Sequence, residues 1–548
     1  VIRLVPWLVL VALAGCRCAE KGGVPDAGAP GPDAAWLAGR LGPETGSPRD
    51  GGTLVVRLPL EPNGLTRLHD RFNEGTMARL TVGALYETLA RVDHSRPGGP
   101  LVPLLAERWE ESGDHLSLTV HLRDGVRFHD GTPLTSRDVK ATADLVLDPS
   151  RPTAAFRASL DALAAVETPD AHTVVVRWKR PWFLSARTFL AALPVMPAHA
   201  LEGDFDTLPI HRAPVGTGPF RFAKWEPGVA LTLERHEGRA HLERLVFRFV
   251  KDDTAAVQAW ERGEFDVMTR VPAAAWRGSE AQPWAWRGYQ RVAFAENAYA
   301  WIGFNQRQPR FADARVRRAL GLLFPADLVA KTVDLGLEPR VTCPYFPESP
   351  SCDPSVLPLA FDVPAARALL DEAGFRDADG DGVREREGER LAFSFLAAAQ
   401  STKMAKVLPL YLDALKEAGI DARIETVDVS AYMGRVRAHD FDAMALSWSA
   451  PDLVQDLYPA LHSSQAEGGQ NFLGFADPEV DALLEKIRVE FDEGARHALE
   501  QALHRRVYEQ QAYLFMGRRP ALDALKRRVH GLVPSLAGYD YAAAWVQD

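Results

Sequence analysis

Four groups of residues carry chemistry that this sequence could use. Cys343 and Cys352 bound the stretch Cys343-Pro-Tyr-Phe-Pro-Glu-Ser-Pro-Ser-Cys352. Two thiols at that spacing either close a local disulfide in an oxidising compartment or supply half of a zinc site. No further Cys or close His offers the remaining ligands, so a disulfide is expected for an exported chain. Closing so short a loop contributes roughly 2–3 kcal/mol on the chain-entropy account. His129-Asp130-Gly131-Thr132-Pro133 offers either a catalytic base or a structural turn, and its Gly and Pro favour the turn. Gly216-Thr217-Gly218-Pro219 has the flavour of a phosphate loop but lacks the Lys and the following helix. Asp377, Asp379 and Asp381 begin like a calcium loop, yet position twelve falls on Gly388 rather than on a bidentate Glu. Glu387 and Glu389 are out of register, so an acidic hairpin loop is expected and no metal site. Neither Gly-x-Ser-x-Gly nor His-Glu-x-x-His occurs, and no catalytic residue or cofactor is expected.

A fifth reactive position lies at the N-terminus. Arg3 precedes an apolar run from Leu4 to Ala14, interrupted by Pro6. The run is shorter than the about 20 residues that cross a bilayer and has the size of a secretory signal's apolar region. It ends in Leu13-Ala14-Gly15-Cys16, which resembles a bacterial lipobox. That resemblance implies a signal peptide over residues 1–15 and a lipid on the Cys16 sulfur. An ordinary signal peptide with a chance Cys is the alternative. Lipid chains contribute about 0.8 kcal/mol per buried CH₂, so several chains anchor stably. Residues 16–50 are rich in Gly, Pro, Ala and Asp without apolar periodicity, which predicts a disordered tether.

These groups need a body to position them. The chain has 548 residues, 47% hydrophobic and 25% charged, which excludes wholesale disorder. A formal net charge of −10 with no long basic run argues against a nucleic-acid partner. The folded part starts at Gly51-Gly52-Thr53-Leu54-Val55-Val56, a strand after a Gly turn. Alternation predicts strands at His115–Arg123 (Leu116, Leu118, Val120 and Leu122 on one face), at His172–Trp178, and around Leu245, Phe247 and Phe249. Caps at Asp313, Asp362 and Asp477 predict helices, the second closed by Gly374, and another helix from Glu493 carries Leu499, Leu503 and Val507. Thr135 or Ser136 is expected to cap a helix near Asp138. The class is mixed α/β, without internal repeats.

Several segments, in order, resemble the extracytoplasmic solute-binding proteins of peptide-type ABC importers, family 5. They are Leu101-Val-Pro-Leu-Leu-Ala-Glu-Arg-Trp-Glu110 with Leu122 to Val139, then Pro214-Val-Gly-Thr-Gly-Pro-Phe220 with Leu233-Glu-Arg235. Next come Trp301-Ile-Gly-Phe-Asn305 with Phe311 to Leu320, and Ala368 to Gly382. The last set is Phe441-Asp442, Trp448, His462 to Gln465, Asn471 and Pro478 to Asp481. Together they span nearly all of residues 51–545. The Asn-Pro-Asp-Tyr that follows Glu-Arg in the family is absent; His236-Glu237-Gly238 stands there.

The resemblance implies a two-lobed periplasmic-binding-protein fold of type II, the large peptide-binding class, with mixed sheets and two hinge crossovers. It implies a large lobe over residues 51–298, a small lobe over 299–516 and a return to the large lobe over 517–548. The first crossover is expected near Glu296 to Trp301 and the second near Phe515 to Arg518. A ligand touching both lobes would bind the closed form better and shift the population toward closure. The implied function is the lipid-anchored, extracytoplasmic binding component of an ABC importer for oligopeptides or a similar extended solute. Permease subunits and a membrane reached through the anchor are the implied partners, and a monomer the implied state. A nickel-type metal chelate or another non-peptide solute is the alternative ligand; a secreted hydrolase is the least favoured reading. The expected ligand contacts are Trp448, Asp452, Asn471, Tyr299, Trp301, Glu61 and Asn63. In peptide-binding members an Asp soon after the Trp pairs with the ligand's amine; here Pro451 holds that place, and Asp452 or Asp456 would have to substitute. A solvated loop carboxylate is the alternative for both.

Overall fold

The computed structural model describes residues 46–70, 83–94, 99–281, 288–296, 298–346, 349–449, 452–535 and 538–547. The expected signal peptide, Cys16 and most of the tether, like Pro451, lie outside the described residues. No described helix is long and apolar enough to cross a membrane.

Along the chain, β1 (Thr53–Leu58) leads to a four-stranded unit of β2 (Ala106–Glu111), β3 (Ser117–Leu122), β4 (Leu163–Glu167) and β5 (Thr173–Trp178). Then come β6 (Phe220–Glu226), β7 (Ala230–Arg235), β8 (Arg244–Phe249), β9 (Val267–Met268) and β10 (Tyr289–Ala295). The chain continues through β11 (Ala298–Phe304), β12 (Ala392–Ala398), β13 (Asp421–Val427), β14 (Ala443–Ser449), β15 (Leu514–Phe515) and β16 (Pro520–Lys526). The helices used below are α1 (Ser136–Leu147), α2 (Ser185–Ala192), α3 (Ala314–Leu322), α4 (Val363–Glu372), α5 (Pro478–Arg488) and α6 (Glu493–Glu509).

Two mixed sheets organise two lobes. The large lobe holds a seven-stranded sheet in the order β10-β16-β9-β1-β8-β7-β6, and the small lobe a five-stranded one in the order β13-β12-β14-β11-β15. In the first, β1 runs parallel to β8 and β9 at its centre and antiparallel pairs flank them. β1 is covered on both faces, which is why Leu54, Val55 and Val56 are apolar in succession; Arg57, also buried, pairs with Asp253. Leu54 and Val56 join the main core with the four-stranded unit, while Val55 faces a second layer around Trp260 and Trp276. The five-stranded sheet is likewise covered on both sides. Ile302 and Phe304 pack into one layer with α3 and α4, and Tyr299 and Trp301 into another with α5 and α6.

The chain passes between the sheets twice, and the two passages lie side by side. On the large sheet Ala295 pairs with Pro520; on the small sheet Trp301 pairs with Phe515. Between them Ala300 N donates to Gly517 O at 3.0 Å and Met516 N to Ala300 O at 2.9 Å. Polar groups brace this region. Arg270 pairs with Glu296 at 3.1 Å, and the buried Asp523 carboxylate accepts from Arg270 N and from the Tyr539 hydroxyl, each at 2.8 Å. Burial pushes the Asp523 carboxyl up to about 6.

Local signals agree with the elements. The Asp313, Asp362, Asp477 and Asp492 carboxylates each accept a backbone N–H at the start of a helix. Thr135 caps α1, with the Asp138 carboxylate accepting from Thr135 N and Oγ1. Leu118, Val120 and Leu122 are buried as alternation predicts, but Leu116 is 37% exposed. The turn at His115, with φ of 56°, ends the alternation before the strand begins. On α6 the buried face carries Leu503 and Val507 together with Arg496, Glu500 and His504, so its inner face is half polar. Those polar groups meet the loop closed by a Cys343–Cys352 disulfide, whose Cα atoms are 5.8 Å apart. Ser351 Oγ donates to Glu500 at 2.7 Å and Asp353 N to His504 Nδ1 at 3.0 Å.

Candidate ligand-binding site

The carboxyl ends of β1, β8 and β9 point the same way as the ends of the sheet from which both crossovers leave, so they face the small lobe. In open mixed sheets such strand ends are where ligands collect. A pocket of about 740 Å³ opens there, lined by Glu61, Pro62, Asn63, Arg212, Ala213, Phe222, Trp225 and Pro227. Its inner wall is built by one carboxylate. Glu61 Oε1 accepts from Trp225 Nε1 and Oε2 from Gly228 N, both at 2.9 Å, which fixes the loop after β1 to the turn between β6 and β7. The Arg212 guanidinium lies 4.4 Å from the Trp225 ring centroid. Leu60 and Val229, 47% and 55% exposed, flank Glu61 and Pro227 in sequence. Of the expected contacts, Glu61 and Asn63 thus lie in this pocket.

The expected contacts on the small lobe have other occupations. β14 runs antiparallel to β11, so Trp448 sits opposite Tyr299 near the crossover end. Trp448 is half-buried and stacks between Trp301 at 5.8 Å and Phe472 at 6.1 Å. Trp301 is fully buried against Tyr513 at 4.3 Å, and Tyr299 is 6% exposed. Both are core residues in this conformation, because residues two apart on β11 share the face that α5 and α6 cover. Asn471 is 1% exposed. Its amide donates to His462 O and Phe475 O at 3.1 and 2.8 Å and accepts from Phe475 N at 3.0 Å, so it closes a loop rather than facing a ligand.

The two loop carboxylates are also engaged. Asp452 receives Nε and Nη2 of Arg187 on α2 at 2.5 and 2.7 Å, and the same Nη2 donates to Gly99 O. Asp456 accepts from Arg488 Nε and Nη2 at 2.8 and 2.6 Å. An Asp already forked by a guanidinium has its acceptor sites filled on that side. The Arg187–Asp452 pair joins the lobes, and a short apolar seam accompanies it. Phe183 N donates to Arg488 O at 2.9 Å, Arg496 lies over the Phe183 ring at 4.7 Å, and Val454 packs on Trp182 and Leu184. Sequence reasoning missed Arg187, Arg212, Trp225 and the Trp182-Phe183-Leu184 triplet. The triplet is an aromatic run just past a strand and was a usable signal; the two arginines carried none.

His129 is a clasp. Gly216 N donates to its Nδ1 at 3.1 Å, and its Nε2 donates to Gly218 O at 3.0 Å. Burial pushes this imidazole down to about 4, which keeps it neutral and suits one nitrogen for accepting and the other for donating. The two glycines serve close packing: a Cβ on Gly216 would meet Leu85 O at 2.0 Å, and one on Gly218 would meet Ala84 O at 2.5 Å. In the acidic loop, Asp377, Asp379 and Glu385 bring carboxylate oxygens within 4.8 Å of one another. Those of Asp377 already accept from Gly380 N and Gly382 N, and Glu385 from Ala378 N.

The profile of bacterial extracellular solute-binding proteins, family 5 Middle, matches residues 100–469. Oligopeptide-binding protein AppA of Bacillus subtilis (strain 168) is 28% identical over 494 residues, covering 86% of this chain and 87% of that protein. The structure of AppA from Bacillus subtilis in complex with a nonapeptide has a TM-score of 0.78 at 24% identity, covering 92% of this chain and all of that one. NikA from Brucella suis in complex with Fe(III)-EDTA gives a TM-score of 0.78 at 23% identity, covering 90% and 100%. At such identities the structural likeness speaks for the two-lobed fold. The chain belongs to the bacterial extracellular solute-binding proteins of family 5, the non-enzymatic binding components of ABC transporters.

Proposed function

We propose that this protein is the substrate-binding component of an ABC importer that captures oligopeptides, or solutes of similar extended shape, by closing its lobes around them. What carries the reading is the pair of adjacent crossovers between two sheets, together with an open pocket of about 740 Å³ on the large-lobe strand ends that face the small lobe. Pockets of this size and mixed lining suit small organic ligands. The likeness to an oligopeptide-binding protein over most of both chains supports the peptide class. In this reading residues 51–298 with 517–548 form one moving body and 299–516 the other. A guest touching both shifts the population toward the closed shape, which permease subunits recognise. Glu61, Asn63 and the exposed edge of Trp448 border the guest. Cys16 carries the lipid, and residues 16–50 let a monomer reach outward from the membrane.

Titration calorimetry of the folded body with peptides of two to eight residues tests the ligand class. Heat of binding, with a smaller radius of gyration in scattering, is the expected result. Silence toward every peptide, with binding of a metal chelate in native mass spectrometry, would replace the peptide reading. Metabolic labelling with palmitate, lost in Cys16→Ala, checks the anchor.

A further inference from the structure

Three carboxylates at the cleft have partners within the chain. On the small-lobe side of the seam, Asp452 is forked by Arg187, and Asp456 accepts from Arg488 through one oxygen and from Tyr458 N through the other. On the large lobe Glu61 spends both oxygens on Trp225 and Gly228. Arg212 is exposed, lines the pocket and rests on the Trp225 ring, and among the described residues no carboxylate lies within ion-pair distance of it. Glu61 and Arg212 thus line the same pocket, and the guanidinium, unlike that carboxylate, keeps its N–H groups unspent among the described residues.

The geometry around that cation is prepared rather than incidental. Glu61 fixes the indole through Nε1, and the indole carries the guanidinium on its face. A stacked guanidinium keeps its in-plane N–H groups for a planar acceptor, and carboxylate is the acceptor that matches its fork. Phe222, Pro62 and Pro227 supply apolar surface in the same pocket. A neutral amide or a cationic amine gains no comparable charge-assisted bond from the guanidinium.

We propose that Arg212, held on Trp225, anchors a carboxylate of the captured solute, so that a peptide is recognised by its free C-terminal carboxylate rather than through its amine. This rests on the peptide reading above and assigns the end of the peptide that the large lobe reads. Glu61 acts as a positioning residue, through the indole.

The test uses two pools of random-sequence pentapeptides, identical except that one ends in a free carboxylate and the other in a carboxamide. Both are titrated into the wild-type protein, Arg212→Gln and Arg212→Lys, each first shown to melt like the wild type. The acid pool is expected to bind the wild type about tenfold or more tightly than the amide pool. Arg212→Gln should bring the two pools to similar affinity by weakening the acid pool, and Arg212→Lys should keep part of the preference. Equal binding of both pools to the wild type overturns the proposal, as does a preference that survives in Arg212→Gln. Binding of neither pool overturns the peptide reading itself, and this assignment with it.

Discussion

On the large lobe, Glu61 is spent on Trp225 and Gly228, while Arg212 is exposed and no described carboxylate lies within ion-pair distance of it; on the small lobe, Asp452, Asp456 and Asn471 are each consumed by partners within the chain. The same residue types thus do different jobs on the two rims. The small lobe uses its polar groups to hold loops and to meet the other lobe, and its Trp448 is half-buried. The large lobe keeps one guanidinium, Arg212, without an ion pair among the described residues. In the proposed reading, chemical selectivity resides mainly in the larger body, and the smaller one supplies an aromatic wall and a clasp.

The strongest way to break this contrast is Trp301→Ala. Trp301 is fully buried between Trp448 and Tyr513, and its loss should cost about 3–5 kcal/mol of unfolding free energy in denaturant titration. A loss under about 1 kcal/mol would mean that this face is open to ligand. Next is Asn471→Leu, which strands Phe475 N and two carbonyls and should cost about 2–3 kcal/mol in denaturant titration. A cost under about 0.5 kcal/mol would mean that the loop does not depend on this amide.

Asp452→Asn removes the charge from the interlobe pair, whose side chains are 15% and 22% exposed. It should weaken the seam by about 1–2 kcal/mol and raise the radius of gyration of the unliganded protein in scattering. An unchanged profile would show that the pair does not hold the lobes together in solution.

The smallest effect concerns pH. Burial pushes the Glu500 carboxyl on the small lobe up to about 7, from an ordinary 4.5. A raised value in the fold means that its proton is bound more tightly there than in the unfolded chain. That contribution is complete below about 4.5 and is lost as pH rises through about 7. Glu500→Gln should match the wild type in melting near pH 4.5 and exceed it by about 2–4 °C at pH 8. A difference that does not vary with pH would count against a proton at this site.

What could be read before the fold was known follows the range of the interactions. Caps at Asp313, Asp362 and Asp477 act within three residues, and their helices begin there. Alternation in β5 placed Val174 and Val176 in the core. Leu116 misled because a left-handed turn at His115 interrupts the pleat, which periodicity alone does not register. The site was less legible. Whether Asp452 is free depends on Arg187, 265 residues away, and whether Arg212 lines a pocket depends on a tryptophan placed by a different hairpin. Trp301 and Asn471 are expected at the cleft from the family resemblance, and their aromatic and amide character suits a tight core or loop as well.

Both passages between the lobes leave from β10 and β16, at one edge of the seven-stranded sheet, while Trp225 sits on β6 at the opposite edge. Six strand spacings of about 4.8 Å set these edges on the order of 30 Å apart. In the proposed closure, a swing of about 15°, the scale of the subunit rotation in haemoglobin, would sweep roughly 8 Å at that radius while the pivot barely stirs. So long a lever arm would let a modest twist in a few backbone bonds become a stroke wide enough to admit or release a bulky passenger.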